Sequence, residues 1–398
     1  MVPQLHRHQV SLESVIDPLA TPLLSSYDRT RAHSIFQHIV QHCESYELLN
    51  TITPTRIYKR GRLLQLVYDH AISEHGRDNI LRYFLTAMTV IPEESSPNNQ
   101  DFSHVLSILS DFKDRNTLQK DVIVQRAQEL ADHLVDGFFL PLRASSAKTP
   151  QPTPHLTPQS RQGGDVLVGT TQRLSSLRGQ CLVRDRHRCV ISRQFDEAEA
   201  IRRFGTHGAA AVDDDEKLLA DEETEHLEVA HIIPHALTSS DDGQIILAKV
   251  YTLRILDMFD PGVLHLVEGA SIDRSYNAIT LTVGFHRRFG SLQIYFEATP
   301  GVDHTYTIKS TLPFLVFRPR LPITQALFMT PEHTIDPPMP RLLAIHRACC
   351  LILHISGAGE YIDKVLRDRE APAVMSDGST ELGNLVSLGL HRLKTTAY

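Results

Sequence analysis

The sequence predicts an α+β protein in which a central segment of strands and short helices is flanked by two mainly helical regions. Apolar residues recur at three- and four-residue spacing before residue 143, whereas short β-branched runs are concentrated between residues 228 and 298. A second helical pattern covers Leu342 to Ile355. These three observations set the expected order of elements: helices, a mixed segment, and helices again.

The first helical region is predicted over residues 1–143. Two patterns of helical period carry this prediction, and their apolar positions are Leu63, Leu66, Val67, Ala71, Leu118, Val122, Ala127, Leu130, Leu134 and Phe138. Pro92 and Pro97 bracket a predicted loop between helices. We therefore expect this region to form its core by helix packing.

The clearest domain boundary is a stretch rich in Pro, Ser and Gln, ASSAKTPQPTPHLTPQSRQGG, which begins at residue 144 and predicts a linker over 144–168. The central domain is then expected at 169–311, with an acidic insert at 205–228. A helical C-terminal region is expected at 312–398. In that region PMPRLLAIHRACCLILHISG starts with prolines, ends with glycine and is apolar on almost every side, which predicts a buried helix.

Composition narrows the functional classes. A net charge of −7 gives the whole molecule no cationic field, so any contact with a polyanion must be local. The chain opens with no basic and apolar leader and contains no run of 18 apolar residues, so we expect no membrane segment. Five cysteines without a disulfide framework fit a reducing compartment, which predicts an intracellular protein of the nucleus or the cytoplasm.

Charge is unevenly placed in the central segment. Residues 173–203 hold eight arginines and four acids, whereas residues 213–228 hold nine acids and one lysine. The basic stretch is a candidate for phosphate contacts. Its residues Arg184, Arg186 and Arg188 could either contact phosphates or be charges that are simply exposed to water. The acidic stretch is interpreted as a solvated insert.

Candidate site residues lie in two short motifs. EVAHIIPHAL contains His231 and alternates like a strand that ends at Pro234. NAITLTVGFHRRFG begins with Asn277, continues as a β-rich run, and reaches His286 where a helix is expected to open near Phe285. Asn277 follows His231 by 46 residues and precedes His286 by 9.

These motifs, together with RCVISRQFD, resemble the three blocks of the HNH endonuclease family, particularly a branch common in fungal proteins. The resemblance covers residues 174–300. It implies a ββα-metal module that hydrolyses DNA phosphodiester bonds with one divalent cation, Mg²⁺ or Mn²⁺, with Zn²⁺ as a further option. The implied roles are His231 as general base, Asn277 as the residue that orients it, and His286 as a metal ligand.

The chain departs from the stronger versions of this pattern at two positions. Ala230 stands where many relatives carry a metal-binding Asp or His, and Gly290 stands where many carry a second ligand on the helix. Completing the metal sphere would then require Asp273, Glu228 or His235, or else waters and the substrate phosphate. Arg287 and Arg288 are the candidates for phosphate contacts. Without paired Cys-x-x-Cys motifs, no structural zinc is predicted, and Cys189 is interpreted as a small buried residue.

Three hypotheses follow from the sequence. The first is a metal-dependent endonuclease acting on DNA. The second is a degenerate HNH module that binds nucleic acid or protein without cutting. The third is an interaction scaffold, in which the helical regions bind a protein partner and the central segment is an appendage.

Overall fold

The computed structural model describes residues 22–49, 57–89, 102–146, 170–237, 247–312, 319–331 and 334–370. The predicted linker core, the loop at Pro92 and Pro97, and the C-terminal tail lie outside these residues. The chain divides into two compact units, each assembled from separate stretches. Unit 1 comprises Met1–Leu24, His70–Ile80 and Gly137–Leu351, and unit 2 comprises Ser25–Asp69, Leu81–Asp136 and Ile352–Tyr398. The α+β architecture with helical flanks agrees with the prediction.

The helices of the N-terminal region are α1 (Ser26–Leu49), α2 (Arg60–Asp69), α3 (Glu74–Thr89), α4 (Phe102–Leu109), α5 (Thr117–Leu134) and α6 (Leu140–Ser146), with a π-helical turn at Val135–Phe139. Asn116 caps α5 in a reciprocal arrangement with Gln119. The predicted core positions of α2 are buried, but Leu118 and Val122 are 79% and 52% exposed. The prediction was wrong there because the buried stripe of α5 begins only at Ile123.

The central segment contains α7 (Thr170–Arg184), α8 (Glu197–His207), α9 (Leu247–Phe259), α10 (Leu264–Val267) and α11 (Val283–Gly290). Its strands are β1 (Phe195–Asp196), β2 (Thr224–Glu225), β3 (Leu227–His231), β4 (Ala278–Thr282), β5 (Ile294–Ala298) and β6 (Thr305–Ser310). The chain continues with β7 (Ile323–Ala326), α12 (Pro340–Ser356) and α13 (Ala358–Glu370). β1 and β2 pair in parallel, and β5, β6 and β7 form an antiparallel sheet.

β3 and β4 form an antiparallel ribbon within unit 1. Its register places His231 opposite Ala278 and Glu228 opposite Leu281. α7 covers one side of the ribbon, where its Leu177 and Cys181 form a buried cluster with Val229 and Ala278. β4 leads directly into α11, and Thr282 caps that helix by accepting a hydrogen bond from the Phe285 amide. The expected order of two strands and a helix is therefore present.

Helix α12 is largely buried, as its apolar sequence predicts. His346 of this helix stacks on Phe289 of α11 with ring centroids 3.8 Å apart, and its Nε2 lies 3.1 Å from the Phe289 carbonyl oxygen. Among the described residues, no single helix is long and apolar enough to cross a membrane. The pair Pro340–Ser356 and Ala358–Asp368 passes that test only together, by length and composition, and is bent by 90°.

The buried His346 predicts a pH-dependent stability. Burial lowers its pKa to about 4 from an ordinary value of 6.5. Between these two values the unfolded chain binds a proton that the folded chain does not, so the free energy of unfolding falls as the pH falls from 6.5 to about 4. The expected loss is about 3 kcal/mol. Urea denaturation across this range should show the loss in wild type and a smaller one in His346→Gln.

His354→Gln is the matched control, because this histidine lies on the same helix and is exposed. The control should keep the wild-type pH dependence. An unchanged pH dependence in His346→Gln would contradict the assignment of this effect to His346.

Candidate active site

His231 lies at the end of β3 and is buried. Its Nε2 is 3.2 Å from Oδ1 of Asp273, and Oδ2 of that carboxylate accepts a 3.0 Å hydrogen bond from Nε of Arg173. Burial alone would raise the pKa of Asp273, but the hydrogen bonds from His231 and Arg173 outweigh burial and lower it below its usual range. Because an ionised carboxylate only accepts hydrogen bonds, Nε2 of a neutral His231 carries the ring proton.

The other ring nitrogen of His231 is then an unprotonated acceptor. Within the described part of the chain, this Nδ1 is buried and has no hydrogen-bond partner. His235 lies beside the same carboxylate, with Nε2 3.6 Å from Oδ1 of Asp273 and its ring centroid 5.8 Å from that of His231. Access of water or substrate to Nδ1 requires a local opening of the residues that cover it.

Asn277 is fully buried and joins the segments that carry His231 and Asp273. Its Oδ1 accepts a 2.9 Å hydrogen bond from the Ile233 amide, and its Nδ2 donates to the carbonyl oxygens of Ile233 (3.0 Å) and Ile272 (2.9 Å). The Ile232 amide donates to the Asn277 carbonyl at 2.8 Å. Asn277 thus tethers the turn after His231 to the residue before Asp273.

His286 contacts a different carboxylate. Its Nδ1 lies 2.6 Å from Oε2 of Glu228, and this hydrogen bond lowers the pKa of Glu228 below its usual range. Since successive strand residues point to opposite sides, Glu228 and Ala230 share one side of β3 while His231 lies on the other. No hydrogen bond or ring contact joins the imidazoles of His231 and His286 in the described structure. The two predicted histidines therefore belong to two separate acid–imidazole pairs.

A divalent cation at this site would have few protein ligands. Glu228 and His286 offer a carboxylate oxygen and an imidazole nitrogen side by side, which are suitable donors for Mg²⁺ or Mn²⁺. Position 290 contributes no ligand because glycine has no side chain, and a Cβ there would lie 2.9 Å from the Ser146 carbonyl oxygen. The described residues contain no group of three or more His, Cys, Asp or Glu side chains placed to hold a metal. The donor set fits a cation that keeps several water or phosphate ligands.

Most arginines of the basic stretch are engaged within the protein, which corrects two predictions. Arg184 is buried beside Asp185 and is not a solvated charge. The acidic stretch is not simply solvated, because it pairs with the basic one: the partners are Arg186 with Asp215, His187 and Arg203 with Asp214, and Arg188 with Asp213 and Glu222. The phosphate-binding surface expected from residues 173–203 is thus largely neutralised. Arg287 is exposed and Arg288 is half-buried, both in the last turn of α11.

The sequence prediction included all four residues of the two pairs but not Arg173, which contacts Asp273. In the sequence analysis Arg173 was considered only in the count of charged residues, because it lies 100 positions from Asp273 and no local motif connects them. Cys189 is buried as predicted, and its Sγ accepts a 3.4 Å hydrogen bond from the Ser192 amide.

Comparison with known proteins gives one result. Residues 189–297 match the model of a family described as HNH endonuclease. The match covers about a quarter of the chain and includes Glu228, His231, Asp273, Asn277 and His286. Neither the curated proteins nor the solved structures gave a significant match.

Proposed function

Because residues 189–297 belong to the HNH endonuclease family, we propose that this protein is a divalent-cation-dependent endonuclease that hydrolyses DNA phosphodiester bonds. The family suggests a nuclease-type function, implies nucleic-acid binding and generally uses a divalent cation. The observation that carries the more specific proposal is the pairing of His231 with Asp273, which leaves Nδ1 of the imidazole as an acceptor.

Each residue then has a chemical role. His231 removes a proton from the attacking water through Nδ1, since a neutral imidazole is a competent base near neutral pH. Glu228 and His286 would hold the cation, which when bound would supply Lewis-acid stabilisation of negative charge on the phosphate. Asn277 keeps the backbone after His231 in place. Arg287, exposed beside His286, is available for a phosphate of the DNA backbone, and Arg288 is a second candidate.

A second candidate function is an HNH module that binds nucleic acid without cutting it. The burial of His231 Nδ1, the position of His231 and Glu228 on opposite sides of β3, and the absence of ligands at Ala230 and Gly290 favour it. A supercoiled-plasmid assay separates the two candidates. The nuclease predicts nicking with Mg²⁺ or Mn²⁺ that EDTA stops, whereas the binding module predicts intact plasmid and salt-sensitive binding at low ionic strength. Intact plasmid under all cation conditions would overturn the nuclease proposal.

The cation site makes its own prediction. Glu228→Gln and His286→Asn should each weaken Mn²⁺ binding about 10- to 100-fold in calorimetric titrations, because each removes one of only two proposed protein ligands. Glu225→Gln is the matched control, since Glu225 lies on the preceding strand and is exposed. Equal Mn²⁺ affinity in Glu228→Gln, His286→Asn and the control would exclude this pair as the cation site.

A further inference from the structure

Two residues connect helix α7 to the ring of His231, since Arg173 contacts Asp273 and Asp273 contacts His231. We call Arg173 and Asp273 the clamp. Arg173 lies near the start of α7, and Asp273 lies at the end of the 3₁₀ turn Gly269–Asp273, two elements that are distant in sequence. The side chain of Asp273 is 1% exposed, and its two oxygens are used separately: Oδ2 by Nε of Arg173 and Oδ1 by Nε2 of His231. Arg173 and His231 thus each hold one oxygen of the Asp273 carboxylate in place.

We propose that Arg173 and Asp273 are positioning residues for His231, which hold its imidazole in the tautomer that leaves Nδ1 free to accept a proton. This inference rests on the proposed function, because it names what orients the proposed base. A base oriented by a third group is a general arrangement in hydrolytic sites, where the orienting group selects the tautomer of the imidazole. Here that group is a carboxylate, and a guanidinium fixes it in turn.

Three features indicate that Asp273 positions His231 and does not bind the cation. Its oxygens are occupied by Arg173 and His231, and a bound guanidinium disfavours a second cation nearby through charge repulsion. Glu228 is the carboxylate that contacts His286. Finally, Asn277 tethers the Ile272 carbonyl, so the backbone next to Asp273 is fixed together with the turn after His231.

His235 is the remaining neighbour of this carboxylate. Its Nε2 lies 3.6 Å from the oxygen that accepts from His231, which is beyond the distance of a good hydrogen bond. His231, at 3.2 Å, is the closer partner of Oδ1. Asp273 is therefore placed to select the tautomer of His231 rather than that of His235.

The test is nitrogen NMR of the histidine rings in the full-length protein with ¹⁵N-labelled histidine. The His231 signals are identified by their absence in His231→Gln. In wild type, the expected pattern is a protonated Nε2 and an unprotonated Nδ1. Asp273→Asn should increase the Nδ1-protonated form, because an amide can donate to Nε2 where a carboxylate cannot. Arg173→Met should give a mixture of both forms, because the carboxylate loses the partner that keeps Oδ1 facing Nε2. Gln180→Met, an exposed substitution on the same helix, should keep the wild-type pattern.

Nicking rates supply the second readout. Asp273→Asn is expected to lower the turnover rate about 100-fold and Arg173→Met about 10-fold, with DNA affinity unchanged. Unchanged ring tautomers in both variants would overturn the inference, whatever the activity. If wild type does not nick DNA but the tautomer shifts as expected, the clamp stands and the nuclease proposal fails. If Asp273→Asn does not fold, Arg173→Met decides the question alone, and a wild-type tautomer in that variant would overturn the inference.

Discussion

His231→Ala is expected to lower plasmid nicking about 10²- to 10⁴-fold at neutral pH in the presence of Mg²⁺ or Mn²⁺. The substitution removes a ring whose Nε2 lies beside a carboxylate and whose Nδ1 has no hydrogen-bond partner among the described residues. Cation affinity should not change, because Glu228 and His286 contact each other and not His231. The measurement is the initial rate of conversion of supercoiled to nicked plasmid, compared with Mn²⁺ titrations of the same variant.

His226→Ala is the matched control for this experiment. His226 precedes β3 and is exposed, so its removal tests for general effects of losing a histidine from this segment. Nicking by the control should match wild type. Equal nicking by His231→Ala and wild type would remove His231 as the base.

The parts of the site that could be predicted from sequence are those set by local patterns. β3 alternates in polarity and ends before Pro234, and β4 is β-branched and leads into a capped helix, so the strands and α11 follow from short-range preferences. Asn277 was expected to orient His231, and in the structure its side chain forms hydrogen bonds to Ile233 and Ile272. These features depend on neighbours in sequence or on motif order.

The pairing of charges could not be predicted, because it depends on long-range packing. Arg188 reaches Asp213 across 25 residues and Arg173 reaches Asp273 across 100, so a count of charges in sequence windows assigns both arginines to a basic surface. The contacts of His231 and His286 could not be predicted for the same reason. Each residue was correctly placed on its element, but the sequence did not indicate that each would contact a separate carboxylate. A resemblance to a family gives the order of residues and not their contacts in this chain.

The buried arginine Arg184 leads to the largest expected effect on folding. Its guanidinium forms two hydrogen bonds of 2.8 Å to Asp185 and donates to the carbonyl oxygens of Ser275 (2.7 Å), Ala278 (2.9 Å) and Asp336 (3.2 Å). Arg184→Met would leave the Asp185 carboxylate buried without its counter-ion. We expect the free energy of unfolding in urea to fall by about 3–5 kcal/mol, the usual cost of removing one partner of a buried pair.

The double variant Arg184→Met/Asp185→Leu distinguishes this cause from lost packing. Removing both charges eliminates the uncompensated carboxylate, so the double variant should be more stable than Arg184→Met alone. Arg202→Met is the surface control, because Arg202 pairs with Glu199 in a largely exposed position and should change stability little. If Arg184→Met is no less stable than this control, the buried pair does not stabilise the fold.

Arg184 also affects the site. Because the carbonyl oxygens of Ser275 and Ala278 that it binds flank Asn277, a loss of stability in Arg184→Met should also lower the nicking rate by loosening the hydrogen bonds of Asn277 that hold the turn after His231.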